Sequence, residues 1–586
     1  MTSIDELFRK PNLPPAGNKR KYEAPDAQEV YKASKLSKTS SPNGQANGAT
    51  VEDAEDEDLE AGPELPPDLD DEGDDEDGKF FGSGMTKDAV EALDYIDQAD
   101  GAEEALQEEK IDSAWLRRLT TSFERKVVKN AELRARYENN PTKFIESEAD
   151  LDAETKSWSL LGEHPGLYIE FAKGGAAATL VGLLAHENTD IAIGAIQILS
   201  ELLDEDVQAE QEQWDAVVAA VLDADLLDLL MDNLGRLDEG NESDRNGMYH
   251  SLAVLESLAG QQPTAEKIGQ EKLLMWLCNR IKVAEKPVGQ NKQYAAEVLQ
   301  VLLQSSALLR KRLAVDIDGV DLFLQLLAAY RKRDPEKDTH EEEFVENLFD
   351  ALTCVVDELE GKAKFVEAEG VELCLIMLKE GTKNITQRAL RVLDHATNGQ
   401  GAAPTAVCDK IIDAAGLKPL FSTFMKSKDA ASVEHLLGVF SAMLRLLPGE
   451  SAARIRVLAK FAEKKMEKAV RLIKLRKEYA AKVSKVEKEI SQEQNGLPDD
   501  ELEDRADEWF SRRLEGGLFC LQMCDVILAW LVAEDEGIRQ LALQEFHGGF
   551  GMIKTSLDEQ MKGLEGGSEG DQDTREMLET LIGYLE

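Results

Sequence analysis

The sequence predicts an all-α protein whose helices stack into an α-solenoid, and three observations predict it. Leu, Ala, Val, Glu and Lys dominate beyond the N-terminal region and only 6% of the chain is aromatic, a composition that favours helix over strand. A helix, a polar break and a longer helix recur in that order, with starts near Gly175, Ala224, Gln270, Gly319, Gly370 and Gly416, roughly 46 to 51 residues apart. The longer helix of each pair is apolar on too much of its circumference to lie on a surface. In "GGAAATLVGLLAHENTDIAIGAIQILSELLDED", from Gly174, the residues Ile191, Ala195, Ile198 and Leu202 define one face, and Ile193, Ile196, Leu199 and Leu203 an adjacent one. A neighbouring unit must cover the second face, which is the condition for a solenoid.

Residues 1–110 read as a disordered tail, because Pro, Ser, Asn, Gly and charge crowd it and apolar residues rarely recur at helical spacing. Within it, "NKRKYEAPDAQEVYKASKLSK" sets Lys19, Arg20 and Lys21 about ten residues ahead of Lys32, Lys35 and Lys38. That is the two-cluster spacing of a bipartite nuclear import signal, in which basic side chains on an extended strand reach acidic pockets of an import carrier. The block from Val51 to Gly78 carries 16 acidic and no basic residues, so it repels itself, stays extended and solvates the chain. "FGSGMTKDAV" lacks the spacing and the preceding strand of a phosphate loop. Residues 111–165 read as an N-terminal helical cap: a basic helix from Ser113, a turn at Asn139-Asn140-Pro141, and a short helix with an acidic end.

Residues 166–450 hold about six repeats. In the first, Leu180, Val181, Leu183 and Leu184 form one helix and "HENTD" breaks it, with Thr189 or Asp190 placed to cap the next. Each unit opens on a small or Gly-containing turn. The G-[LV]-x-x-[LF] opening and two long helices resemble armadillo repeats, with HEAT repeats as the runner-up. Residues 451–586 start with one long, basic, charge-laced helix, "RIRVLAKFAEKKMEKAVRLIKLRKEYAAKVSKVEKEI", in which Glu463, Glu467, Glu478 and Glu487 suit intrahelical pairing. After the acidic break "NGLPDDELEDRADEW", the remaining helices form a C-terminal helical cap.

Charge and chemistry narrow the function. The chain carries a net charge of −48; the first fifty residues hold +3 of it and the acidic block −16, leaving −35 on residues 79–586. A negative fold argues against direct nucleic-acid binding through the basic stretch Arg454–Lys485. No apolar run approaches the roughly 20 residues of a membrane span and no apolar signal follows Met1, so a soluble, intracellular protein is expected. Among Cys278, Cys354, Cys374, Cys408, Cys520 and Cys524 only the last two lie one turn apart. A zinc site needs a second pair, so buried thiols in a reducing compartment are expected. His164, His186, His250, His340, His395, His435 and His547 form no nucleophile–base pair and no H-E-x-x-H site. Asp394 adjoins His395, but adjacent residues diverge on a helix. The reading is no enzyme and no cofactor.

Several unusual strings fall in order along the chain: "TSFERKVVKNAELRARYENNPTKFIESEADLD" from Thr121, "LLAHENTDIAI" from Leu183, "NLFDAL" from Asn347, "RVLDHA" from Arg391, "PLFSTFMKS" from Pro419 and "RRLEGGLFCLQ" from Arg512. On these residues, over about 113–560, the chain resembles the beta-catenin-like protein 1 family, armadillo-type proteins of the spliceosome. The resemblance implies a nuclear, non-enzymatic scaffold associated with the nineteen complex in pre-mRNA splicing, binding basic, import-signal-like segments of splicing factors. The last helices of the repeats carry Glu201, Asp204, Glu256, Glu297, Asp350 and Asp394, a candidate groove for such basic segments. The alternative is an importin-like nuclear transport adaptor. Import carriers of this architecture grip peptide backbone with a ladder of Trp and Asn, whereas this chain has six Trp at non-recurring positions. An exposed apolar end of the solenoid would also allow a homodimer.

Overall fold

The structure, a computed structural model, describes residues 110–585 apart from 496–497, 499–500, 503–504, 548 and 565–568. The basic segment with Lys19, Arg20, Lys21, Lys32, Lys35 and Lys38, and the acidic block after it, lie outside the described residues. Every regular element among the described residues is a helix. The described chain forms two compact units, one of residues 110–180 with 208–220 and a larger one of 181–207 with 221–585.

In the smaller unit, Asp112 caps helix α1 (Ser113–Arg136) by accepting from the backbone N–H of Ala114 and Trp115. The helix packs on α2 (Ile145–Lys156) through a buried hydrogen bond from Asn130 Nδ2 to Ser147 Oγ, 3.0 Å, and through Lys126 Nζ to Glu154, 2.7 Å. Phe123, Trp158 and Phe171 form its aromatic centre, with ring centroids 5.6 and 5.2 Å apart.

From Tyr168 a short helix, a second helix and a third, usually longer, follow one another six times along the chain. They are α3 Tyr168–Lys173, α4 Ala176–Gly182 and α5 Thr189–Leu202; α6 Gln211–Asp223, α7 Leu226–Arg236 and α8 Glu242–Ala259; α9 Gln262–Ile268, α10 Glu271–Lys282 and α11 Gln290–Ser305. Then come α12 Ala307–Val315, α13 Gly319–Leu327 and α14 His340–Asp357; α15 Leu359–Glu367, α16 Gly370–Glu380 and α17 Lys383–Thr397; α18 Ala402–Asp413, α19 Leu417–Lys426 and α20 Ala430–Leu446. Sequence periodicity predicts two helices per unit; the chain forms three. Short first helices such as α12 and α15 are rich in charge and bury only three residues each, Leu309, Leu313 and Ala314 on α12, so they leave too short a period to read. A three-helix unit is the armadillo form and removes the HEAT alternative.

The opening turn has a simple cause. A residue one or two positions ahead of the second helix sits in the left-handed region in five units, at Gly175, Asp225, Asp318, Glu369 and Ala415. This reverses the chain between the first and second helices. The glycine that follows is demanded by space instead. A Cβ on Gly319 would lie 2.6 Å from Leu313, and one on Gly416 2.7 Å from Ile411, both side chains of the first helix of the same unit. The cap of α5 is Asn188, whose side chain accepts from Asp190 N, in place of the Thr189 or Asp190 that the sequence suggests.

In the larger unit the third helices pack in chain order, α5 on α8, α8 on α11, α11 on α14, α14 on α17 and α17 on α20. Helix α11 therefore buries two faces, with Tyr294, Ala295, Val298, Leu299, Leu302 and Leu303 all at most 1% exposed. Each such leucine is worth about 1.5–3 kcal/mol. Cations of the next unit tie down the ends of these helices, whose last carbonyls lack helical partners. Arg310 on α12 donates to Leu303 O at 3.0 Å. Lys362 on α15 donates to Val356 O, Asp357 O and His395 O at 2.8–2.9 Å.

After α20 the chain continues into α21 (Ala452–Gln494), which is not one rod as its sequence suggests. Glu463 to Met466 leave helical geometry and split it. Three of its basic side chains turn inward: Arg454 is buried against Glu534 and the Leu447 carbonyl, Lys468 pairs with Glu463 at 2.6 Å, and Arg476 pairs with Asp525 at 2.9 Å, while Lys464, Lys474 and Lys485 stay exposed. Helices α22 (Ala506–Glu515), α23 (Leu518–Glu534), α24 (Glu536–Glu545), α25 (Gly551–Lys562) and α26 (Glu569–Tyr584) complete this region, with α23 packed on both α20 and α21.

Burial also makes the ladder acid-sensitive at one point. His250 on α8, its Nδ1 3.0 Å from Ser200 Oγ on α5, is pushed down to about 4 by burial. Its folded value lies below the unfolded 6.5, so the unfolded chain takes up the proton first and stability falls as pH drops from 6.5 towards 4. The full loss is about 3 kcal/mol. Urea midpoints measured at several pH values should fall over that window, and His250→Gln should flatten the slope; an unchanged slope would refute the assignment.

Candidate functional site

All six candidate carboxylates lie on or beside the third helices: Glu201 on α5 with Asp204 just past its end, Glu256 on α8, Glu297 on α11, Asp350 on α14 and Asp394 on α17. They are held in two ways. Towards the start of the ladder side-chain amides and a hydroxyl donate to them: Gln197 Nε2 to Glu201 at 3.0 Å, the Tyr294 hydroxyl to Glu256 at 2.8 Å, and Gln293 Nε2 to Glu297 at 2.7 Å. Asp204 is exposed and accepts from Asp206 N.

Further along, the next third helix supplies a cation. Asp350 is only 8% exposed and accepts from Arg391 Nη1 at 2.9 Å. Burial raises its carboxyl to about 6, against the pull of Arg391. Asp350 is thus an internal link between α14 and α17, and the expectation of an exposed groove acid is corrected for this residue. Asp394 meets His435 Nδ1 at 2.9 Å across α17 and α20. That approach needs the missing side chain of Gly438, because a Cβ there would strike the Asp394 carboxylate. His395, the neighbour of Asp394, turns to Asp357 instead, 3.5 Å away.

At this end of the ladder a cleft of about 1230 Å³ opens between α17, α20 and the C-terminal helices α21, α23, α25 and α26. Its polar lining includes Arg391, Asp394, His435, Glu434, Arg476, Arg513 and Glu559, and Phe510, Leu518, Met523, Met552 and Met577 supply apolar surface. Glu434 on α20 is half-buried, and the Cys520 thiol donates to its carboxylate at 3.9 Å. Burial raises its carboxyl above the ordinary glutamate value, with His435 opposing and Asp394 adding to the shift. Nothing in the sequence marks this glutamate: its setting depends on α23 lying against α20.

The remaining reactive side chains are masked. All six cysteines are free and buried. Burial pushes Cys278, Cys354, Cys374, Cys408 and Cys520 up to about 12 and holds Cys524 well above its ordinary value, so none offers a thiolate near neutrality. The six tryptophans, Trp115, Trp158, Trp214, Trp276, Trp509 and Trp530, all lie off the third helices α5, α8, α11, α14, α17 and α20.

Residues 90–558 match the family described as "Catenin-beta-like, Arm-motif containing nuclear". The "Beta-catenin-like protein 1 homolog" of Schizosaccharomyces pombe is 35% identical over 464 residues, which are 79% of this chain and 80% of that protein. Human "Beta-catenin-like protein 1" is 34% identical over 437 residues, 72% of this chain and 76% of that protein. Among solved structures, an engineered protein aligns with a TM-score of 0.47 at 14% identity, over 74% of this chain and 95% of its own.

Proposed function

The chain belongs to the catenin-beta-like family of Arm-motif nuclear proteins, and from that premise we propose that it is a nuclear, non-enzymatic scaffold of the spliceosome. It works with the nineteen complex in pre-mRNA splicing and binds basic, import-signal-like segments of splicing factors through the acidic third-helix ladder. The tail residues Lys19, Arg20, Lys21, Lys32, Lys35 and Lys38 serve as its own import signal, read by an import carrier.

The observation that carries this reading is the run of carboxylates Glu201, Glu256 and Glu297 on consecutive third helices, with Asp204 just past the end of the first, in a chain of net charge −48. Several modest attractions along one extended basic segment add in affinity and speed its capture. The net charge of −35 on residues 79–586 supports a protein partner over RNA, and third helices without Trp support a scaffold over an import carrier.

Fluorescence anisotropy with a labelled Lys/Arg-rich peptide and a labelled single-stranded RNA tests it. Peptide affinity should fall about tenfold or more between roughly 50 and 200 mM salt, because screening removes several charge contacts. RNA should not bind at physiological salt. Tight RNA binding there, or peptide binding indifferent to salt, overturns the reading.

A further inference from the structure

We propose that the cleft between α17, α20 and the C-terminal helices receives a partner segment that is both basic and apolar, with a lysine or arginine on Glu434 and a neighbouring large apolar side chain against Met523, Met552 and Met577. This rests on the basic-segment reading above and gives it a place and a fuller chemistry.

The charge inventory of the cleft points to a cation. Arg391 is taken by Asp350, Arg476 by Asp525, Arg513 by Glu487, and Arg445 donates to Gly399 O. Asp394 is held by His435. Glu434 is different: among the described residues no cation lies within ion-pairing distance of it, although it is half withdrawn from water. A carboxylate so placed is costly unless something of opposite charge arrives, and a guanidinium or ammonium that did so would meet a partly desolvated acceptor. That contact is stronger than one at the exposed Asp204.

The wall beside it calls for apolar contact. Met552 is 58% exposed and lines the cleft with Met523, Met577, Phe510 and Leu518. Methionine is flexible and polarisable, so a wall of it accommodates varied aliphatic and aromatic side chains. A volume of about 1230 Å³ exceeds what one side chain fills and suits a short stretch of peptide.

The test uses the full chain and three fluorescein-labelled peptides: one with alternating Lys/Arg and Leu/Phe, one with its apolar residues replaced by Ser, and one with its basic residues replaced by Gln. The mixed peptide should bind at least about tenfold tighter than either variant. Glu434→Gln should weaken it about tenfold, whereas Glu579→Gln, an exposed acid of α26 outside the cleft lining, should change affinity less than about twofold. Met552→Ser with Met577→Ser should also weaken the mixed peptide and leave the Ser-containing peptide unaffected. Thermal melts check folding, and Glu434→Gln should not lower the midpoint, since it removes an uncompensated buried charge.

Wild-type binding that Glu434→Gln leaves intact overturns this site while the proposed function stands. Equal binding of the mixed and Ser-containing peptides overturns the apolar component. If no peptide binds at all, both readings fall. Self-association abolished by Glu434→Gln, without peptide binding, would make a second copy of the chain the occupant and overturn the partner segment.

Discussion

Replacing Lys362 with methionine should destabilise the repeats by about 3 kcal/mol. The lysine is 1% exposed and its ammonium donates to three carbonyls, Val356 O and Asp357 O at the end of α14 and His395 O near the end of α17. These oxygens sit where a helix runs out of amide partners and where its dipole is negative, so a cation is the fitting cap. Methionine keeps most of the length of the side chain and removes every donor. Lys364→Met, two residues on, loses only surface pairs with Asp318 and Glu367, and should cost well under about 1 kcal/mol. Urea denaturation followed by circular dichroism compares the two. Equal costs would show that Lys362 acts only by packing.

Arg476→Met should cost about 3–5 kcal/mol at neutral pH. Arg476 and Asp525 join α21 to α23 with side chains 6% and 0% exposed, Nε to Oδ1 at 2.9 Å. Burial raises the Asp525 carboxyl above its ordinary value and Arg476 works against that rise. Without the guanidinium the carboxylate stays buried with nothing to balance it, and its value climbs further. A raised folded value means that the native variant binds a proton which the unfolded chain releases. Its stability is therefore fully present at acid pH and lost as pH rises through that raised value. The deficit relative to wild type should shrink towards pH 5, and the double variant Arg476→Met with Asp525→Leu should recover most of it. A deficit independent of pH would overturn the ion-pair account.

Residue by residue, the line between what could be read in the chain and what could not follows sequence distance. Ile191, Ile198 and Leu202 announce their helix because each repeats with its neighbours three and four positions on, and α11 shows the two-sided burial such a pattern requires. First helices such as α12 and α15 escaped that reading because three buried residues among charges carry almost no period. Asp350 looks like any acid on a helix, but its partner Arg391 stands 41 residues away. The basic stretch from Arg454 reads as one charge-laced helix, yet three of its cations, Arg454, Lys468 and Arg476, are buried against Glu534, Glu463 and Asp525. Of the binding surface, the acidic character was visible and the identity of the receptive carboxylate was not.

Sequence alone settled the helical class, the repeat and its period, because hydrophobic spacing within one helix is a local property that a few turns express completely. Family membership was legible for a related reason, since unusual strings in order survive without any knowledge of contacts. Tertiary structure alone decided which charges cancel and which remain. Ion pairing depends on distances of a few ångströms between helices about 40 or more residues apart in the chain, and burial sets how strongly each pair is felt. Glu434 became a candidate only when α23 closed against α20 and every arginine around it had already found a partner.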